Sequence, residues 1–199
     1  MLKYQVFPDT NVVVEYINGP RRHTGQRYKE SKEFFQKLIK TGYLCMTRTV
    51  IKESTKRLQE PPFLMNYGKV VLNVDNIIAF ARPKRVNDNR VNRNIVDVEN
   101  FYIRYTQNKS DGMIRFGGID RRYHHIAKKL VMENGITSVP SKDDCTLLAE
   151  IISVSDQSDK TMLASYDKHF IEEGVKEGLK KEFGIITGDP PSILKELKQ

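Results

Sequence analysis

The sequence predicts an α/β fold, a three-layer sandwich in which a central, mostly parallel sheet is flanked by helices. Three observations lead there. Four short apolar runs alternate with amphipathic stretches of helical period, and parallel neighbours need such crossover helices. The 199 residues suit one domain with an insertion. With 39% hydrophobic and 29% charged residues there is enough apolar material for a sizeable core.

The elements follow in chain order. Tyr4 to Phe7 reads as a buried strand that stops at Pro8-Asp9. Val12 to Ile17 is a short helix broken by Asn18-Gly19-Pro20. From Ser31, the positions Phe34, Phe35, Leu38 and Ile39 repeat at helical spacing until Thr41-Gly42. Tyr43 to Met46 is a second short strand, with a helix over Ile51 and Leu58 behind it. The stretch from Phe63 to Phe80 stays open between strand and helix.

Between Ala81 and Tyr123 the composition shifts to ten Lys/Arg against five Asp/Glu, a surplus that is over half of the net charge of +8. This span is too short to bury much core of its own and reads as an insertion. Its Asn-rich and Gly-rich runs read as loops. Its helical face of Ile95, Val98, Phe101, Tyr102 and Tyr105 reads as core rather than as a base-stacking platform.

A helix is expected from Tyr123 to about Glu133, and another from Ser141. Thr161 to Ser165 is a third strand, Val175 to Phe183 a helix, and Gly184 to Thr187 a fourth strand. Pro190-Pro191 opens a last helix at Ser192.

Several classes drop out. No apolar run approaches the roughly 20 residues of a membrane span, and Pro8-Asp9 interrupts any signal-like stretch. Cys45 and Cys145 are too few and too far apart for a disulfide framework, and read as small buried apolar residues. The adjacent His124 and His125 point apart on a helix and make a poor zinc pair. A cytoplasmic protein with a basic bias is expected.

In a parallel sheet the reactive positions are the carboxyl ends of the strands. Asp9 follows the first strand, Glu53 lies in the helix after the second, and Asp167 is two residues past the third. Asp144 shares the apolar face of Leu147, Leu148 and Ile151, so it points toward the sheet. Asp143, rotated by about 100°, reads as a cap or a solvated acid, with an auxiliary ligand role open. Four acids converging on one edge would repel unless a cation sat among them. The economical occupant is Mg²⁺ or Mn²⁺, which prefer carboxylate and water oxygens.

The run Val6-Phe7-Pro8-Asp9-Thr10-Asn11-Val12 resembles the opening of PIN-domain nucleases, whose first strand ends in Asp-Thr/Ser-Asn/Ser. Thr49-Val50-Ile51-Lys52-Glu53, Asp144-Cys145-Thr146-Leu147-Leu148-Ala149, and Met162 to Phe170 with its Ser165-Tyr166-Asp167 turn are similar to later family segments, in order. So is the closing Gly184-Ile185-Ile186-Thr187 with Pro190 and Leu194. The resemblance covers roughly three quarters of the chain. Pro8 departs from the pattern, and the spacing from Glu53 to Asp144 is longer than in compact members.

The resemblance implies a metal-dependent ribonuclease in which Asp9, Glu53, Asp144 and Asp167 form the acidic, metal-holding and catalytic cluster, supported by Asn11 and Ser165. RNA is the expected partner. Arg21 and Arg22 read as a solvated loop, with an RNA contact kept open by their place near that edge. Arg82, Lys84, Arg85 and Arg90 in the insertion are the expected phosphate contacts. RNA processing, or a toxin role with an antitoxin-like protein partner, both remain open, as does a homodimer. The alternatives are a catalytically silent RNA- or protein-binding module and a structure-specific DNA nuclease.

Overall fold

The computed structural model describes residues 2–19, 25–58, 75–81, 86–109 and 140–198. Arg21, Arg22, Arg82, Lys84 and Arg85, most of the Phe63–Phe80 stretch, and the helix expected at Tyr123–Glu133 with His124 and His125 lie outside the described residues.

The chain is α/β. Strand β1 (Leu2–Pro8) is followed by helices α1 (Thr10–Asn18), α2 (Gly25–Thr41) and α3 (Arg48–Leu58). A helical segment at residues 75–80 precedes α4 (Asp88–Lys109) and α5 (Lys142–Val154). Strand β2 (Ser158–Ala164), the short α6 (Lys168–Ile171), α7 (Glu173–Phe183), β3 (Ile185–Gly188) and α8 (Pro190–Glu196) complete the order. Among the described residues, no helix is long and apolar enough to cross a membrane.

The sheet is wholly parallel, in the order β1-β2-β3. The register pairs Phe7 with Leu163 and Pro8 with Ala164, and then Leu163 with Thr187. All three strands therefore end at one edge, where their side chains give way to Asp9, Ser165 and Asp189. The expected second strand contributes less than a full strand. Residues 44 and 45 form a single parallel bridge to β1, through Val6 N–H to Tyr43 O (3.0 Å) and Cys45 N–H to Val6 O (2.9 Å). This short contact explains how Pro8 is tolerated. Its missing N–H would point the same way as that of Val6, toward this edge and away from β2, so the β1–β2 ladder loses nothing.

Buried Phe7, Met162, Leu163, Phe34, Phe35, Leu147, Leu148, Ile151 and Phe170 form the core. Val98, Phe101 and Tyr102 of α4 join it, so the aromatic face of the basic insertion is core. Phe101 comes so close to α7 that a Cβ on Gly178 would lie 2.6 Å from its ring, and glycine is what lets the two helices meet. Gly184, at φ +68°, ends α7 in the left-handed region and turns the chain straight into β3.

Three local expectations are corrected. The Asn-rich run is not a loop: it is the first two turns of α4, started by Asn87, whose Oδ1 accepts from the N–H groups of Asn89 (3.0 Å) and Arg90 (3.3 Å). The last helix opens at Pro190, two residues before Ser192, because the Asp189 carboxylate takes the Ser192 N–H as its cap. Of the two readings of Asp143 the cap gives way and the solvated acid holds: it is exposed, and helix α5 is capped by Ser141, in a capping box closed by Asp144.

Candidate active site

Asp9 is the centre of the strand-end cluster. Its N–H donates to Ala164 O at 2.8 Å, extending the β1–β2 ladder by one residue and fixing the side chain at the sheet edge. The residue is 2% exposed. Its Oδ1 caps α1 by accepting the Thr10 N–H at 2.6 Å, which places the carboxylate at the positive end of that helix. Its Oδ2 accepts from Ser165 Oγ and from Asn11 Nδ2, both at 2.7 Å.

Asn11 and Ser165 join the first strand end to the second. Asn11 Nδ2 also reaches Asp167 Oδ2 at 2.8 Å, so one amide bridges two carboxylates. Asn11 Oδ1 accepts the Tyr166 N–H at 3.2 Å, and Ser165 Oγ accepts the Asp167 N–H at 3.0 Å. The Asp9-Thr10-Asn11 and Ser165-Tyr166-Asp167 turns are thus stitched together. Tyr166 anchors the second turn to α2 through Ser31 Oγ (3.2 Å), and the Arg27 guanidinium lies 4.8 Å from its ring centre. Removing the bridge by Asn11→Ala should cost about 1.5–3 kcal/mol at pH 8, the range for hydrogen bonds to charged groups. The deficit should shrink at pH 5, where Asp9 is protonated; denaturant melts at the two pH values check it.

Glu53 enters from α3. Its Oε2 accepts from Thr10 Oγ1 at 2.6 Å, one residue from Asp9. The start of α3 is fixed by buried Glu150 of α5, which accepts the Thr49 N–H at 3.1 Å and pairs with Arg48 at 3.3 Å.

Asp144 is largely buried. Its Oδ2 accepts the Ser141 N–H at 2.6 Å and lies 3.3 Å from His169 Nε2. His169 was not foreseen from the sequence. Tyr102 of α4 donates to its carbonyl at 2.7 Å, so the basic insertion supports the backbone that holds this ring. The Asp144 contact, long for a hydrogen bond to a charged group, is an ion pair when the ring is protonated.

The electrostatics follow from burial and crowding. Burial pushes the Asp9 carboxyl up to about 7; the Ser165 hydrogen bond opposes this, and the charges of Asp167 and Asp144 add to it. Burial would also raise Asp144, but contact with His169 and the Ser141 hydrogen bonds outweigh it and hold its carboxyl below the usual value. His169 is the converse: burial disfavours its charge, yet Asp144 beside it, with Asp167 and Asp9 beyond, raises its pKa. Three of the four expected acids therefore sense one another, and Glu53 is tied in through Thr10.

Among the described residues no three Asp, Glu, His or Cys side chains stand in ready ligand geometry, and the Asn11 amide sits between the Asp9 and Asp167 carboxylates. The donor chemistry nevertheless fits a hard divalent cation. The groups are carboxylate oxygens, and the burial that raises Asp9, together with the charges of Asp167 and Asp144, is what a cation held there would offset.

Of the expected phosphate contacts, Arg90 alone is described. It pairs with Asp156 at 2.9 Å on the surface. Asp143 is exposed and lines a cleft between α3 and α5 together with Glu53. Comparisons with protein-family models, with curated proteins and with solved structures find no match to this chain.

Proposed function

We propose that the chain is a Mg²⁺- or Mn²⁺-dependent endoribonuclease with a PIN-like sandwich fold. One observation carries the reading: buried Asp9 at the carboxyl edge of a parallel sheet, linked through Asn11 and Ser165 to Asp167 and raised in pKa by its burial, with the charges of Asp167 and Asp144 adding to it. Asp9, Asp144 and Asp167 would hold the ion, with Glu53 direct or through water. The bound ion would lower the pKa of a water and neutralise charge on the phosphate.

The chain's own residues prepare that site. Ser165 and the α1 N-terminus orient Asp9. Asn11 sets the spacing of Asp9 and Asp167, and Thr10 aims the Glu53 carboxylate. His169 balances part of the negative charge at Asp144. None of this calls for a protein nucleophile, because an in-line attack by water on a phosphodiester needs none.

The test is cleavage of matched single-stranded RNA and DNA with Mg²⁺, Mn²⁺ or chelator, alongside thermal melts. RNA cleavage that needs the ion, together with a rise in Tm on adding it, supports the reading. Metal-dependent cleavage of DNA alone moves the protein to the DNA nucleases. RNA binding without cleavage under any ion moves it to the binding modules.

A further inference from the structure

The cleft between α3 and α5 gathers three cations without an ion pair among the described residues. They differ from other such surface cations, Lys180 and Lys181 for example, in sharing their cleft with Glu53 of the strand-end cluster. Arg48 pairs with Asp88 and Glu150, Arg90 with Asp156, Arg104 with Glu182 and Lys176 with Glu173. Lys52, Lys56 and Arg57 of α3 are exposed and make no ion pair among the described residues. All three line one cleft of about 410 Å³, together with Glu53 and Asp143.

Lys56 and Arg57 lie in the last turn of α3, where cations favour the helix dipole. That does not account for Lys52, a full turn earlier, nor for the repulsion between Lys52 and Lys56 at i, i+4. An anion running along the cleft accounts for both. At about 1.5 Å per residue the two lysines stand about 6 Å apart along the axis, a row rather than a single anion pocket. Glu53 stands within this row, between Lys52 and Lys56 in the chain, and its carboxylate is bonded to Thr10 beside Asp9.

We propose that this cleft is the track for the phosphodiester backbone of single-stranded RNA, with Lys52, Lys56 and Arg57 holding phosphates next to the cleaved one. The inference rests on the ribonuclease reading and adds where the strand lies. An acidic protein segment would also meet the three cations. The strand is favoured because the cations flank Glu53, which is tied through Thr10 to a carboxylate cluster that a polyanion can approach only with cations alongside.

The experiment uses the full chain in chelator and a 12-nucleotide oligouridylate, with binding followed by anisotropy from 50 to 300 mM salt. The Lys52→Gln/Lys56→Gln/Arg57→Gln variant keeps good helix formers and removes three charges. The slope of log affinity against log salt should become shallower by about 2, from roughly 0.7 per single-stranded phosphate contact. The charge-keeping Lys52→Arg/Lys56→Arg/Arg57→Lys variant should retain the slope. So should Lys180→Gln/Lys181→Gln, at the amino edge of the sheet. If circular dichroism shows the triple variant misfolded, Lys52→Gln and Lys56→Gln singly should each lower the slope by about 0.7.

Wild-type cleavage of RNA with an unchanged slope in the charge-removing variants overturns the track and leaves the ribonuclease reading standing. Wild-type protein that neither binds nor cleaves RNA overturns both. Loss of binding to a polyglutamate peptide, with RNA affinity unchanged, assigns the cleft to an acidic protein and overturns the track.

Discussion

Asp9→Asn should abolish most metal-dependent cleavage while making the metal-free protein more stable at neutral pH. The first effect follows from removing the central carboxylate of the proposed ion site, for which a loss of roughly 10²–10³-fold or more is expected. The second follows from the raised pKa of Asp9, about 7 against the ordinary 3.8. A folded-state pKa above the unfolded one means the folded protein holds the proton longer. The contribution to stability is full below about pH 4 and is lost as pH rises through about 7. At pH 8 the ionised, 2% exposed carboxylate therefore costs up to about 4 kcal/mol. Asparagine removes the charge and keeps an acceptor for the Thr10 N–H, although its amide faces Asn11 and weakens the Ser165 contact. The net gain should be a few kcal/mol at pH 8 and near zero or reversed at pH 4. Melts in chelator at both values, with cleavage and RNA binding measured in parallel, check it. Equal losses of binding and cleavage would mean that Asp9 supports the fold rather than the ion.

The strand ends were legible because their signals are local. Val6-Phe7 and Met162-Leu163-Ala164 are unbroken apolar runs, as two-sided burial in a parallel sheet demands, and Asp9 and Asp167 follow them within three residues. Asp144 was legible through its helical period. Two features were not. Asparagine favours turns, so the run at Asn87–Asn94 reads as a loop. In the fold, Val91, Val98 and Tyr102 continue one buried face backward, and Asn94 Nδ2 bonds Ala149 O on α5 at 3.2 Å. Packing against α5 outweighs local propensity there. His169 was missed because its partner lies 25 residues earlier in the chain and no local pattern links them. The only sequence signal is a histidine two residues past a strand-end aspartate. Mutual repulsion among the acids leads one to expect both Asp9→Asn and Asp144→Asn to melt higher without metal, and the contact with His169 changes that expectation for Asp144.

Asp144→Asn should lose cleavage as Asp9→Asn does, yet shift stability the other way. Its carboxyl is held below the usual value by His169 and by the Ser141 hydrogen bonds, so its charge favours the folded state. That contribution is present above about pH 4 and is lost as pH falls through the lowered folded-state value. The raised pKa of His169 adds a term of opposite dependence, full below about 6.5 and lost as pH rises through its folded value. Their attraction is therefore greatest between these limits, near pH 5 to 6. Asparagine can still accept the Ser141 N–H, so the capping box survives in part, and the loss should be about 1 kcal/mol, the size of a weakened cap. The double-mutant cycle with His169→Gln separates the causes. A coupling energy that is clear at pH 5.5 and fades at pH 9 identifies the ion pair. Stabilisation by Asp144→Asn comparable to that by Asp9→Asn would show instead that repulsion from Asp9 and Asp167 dominates at Asp144, and that His169 does not offset it.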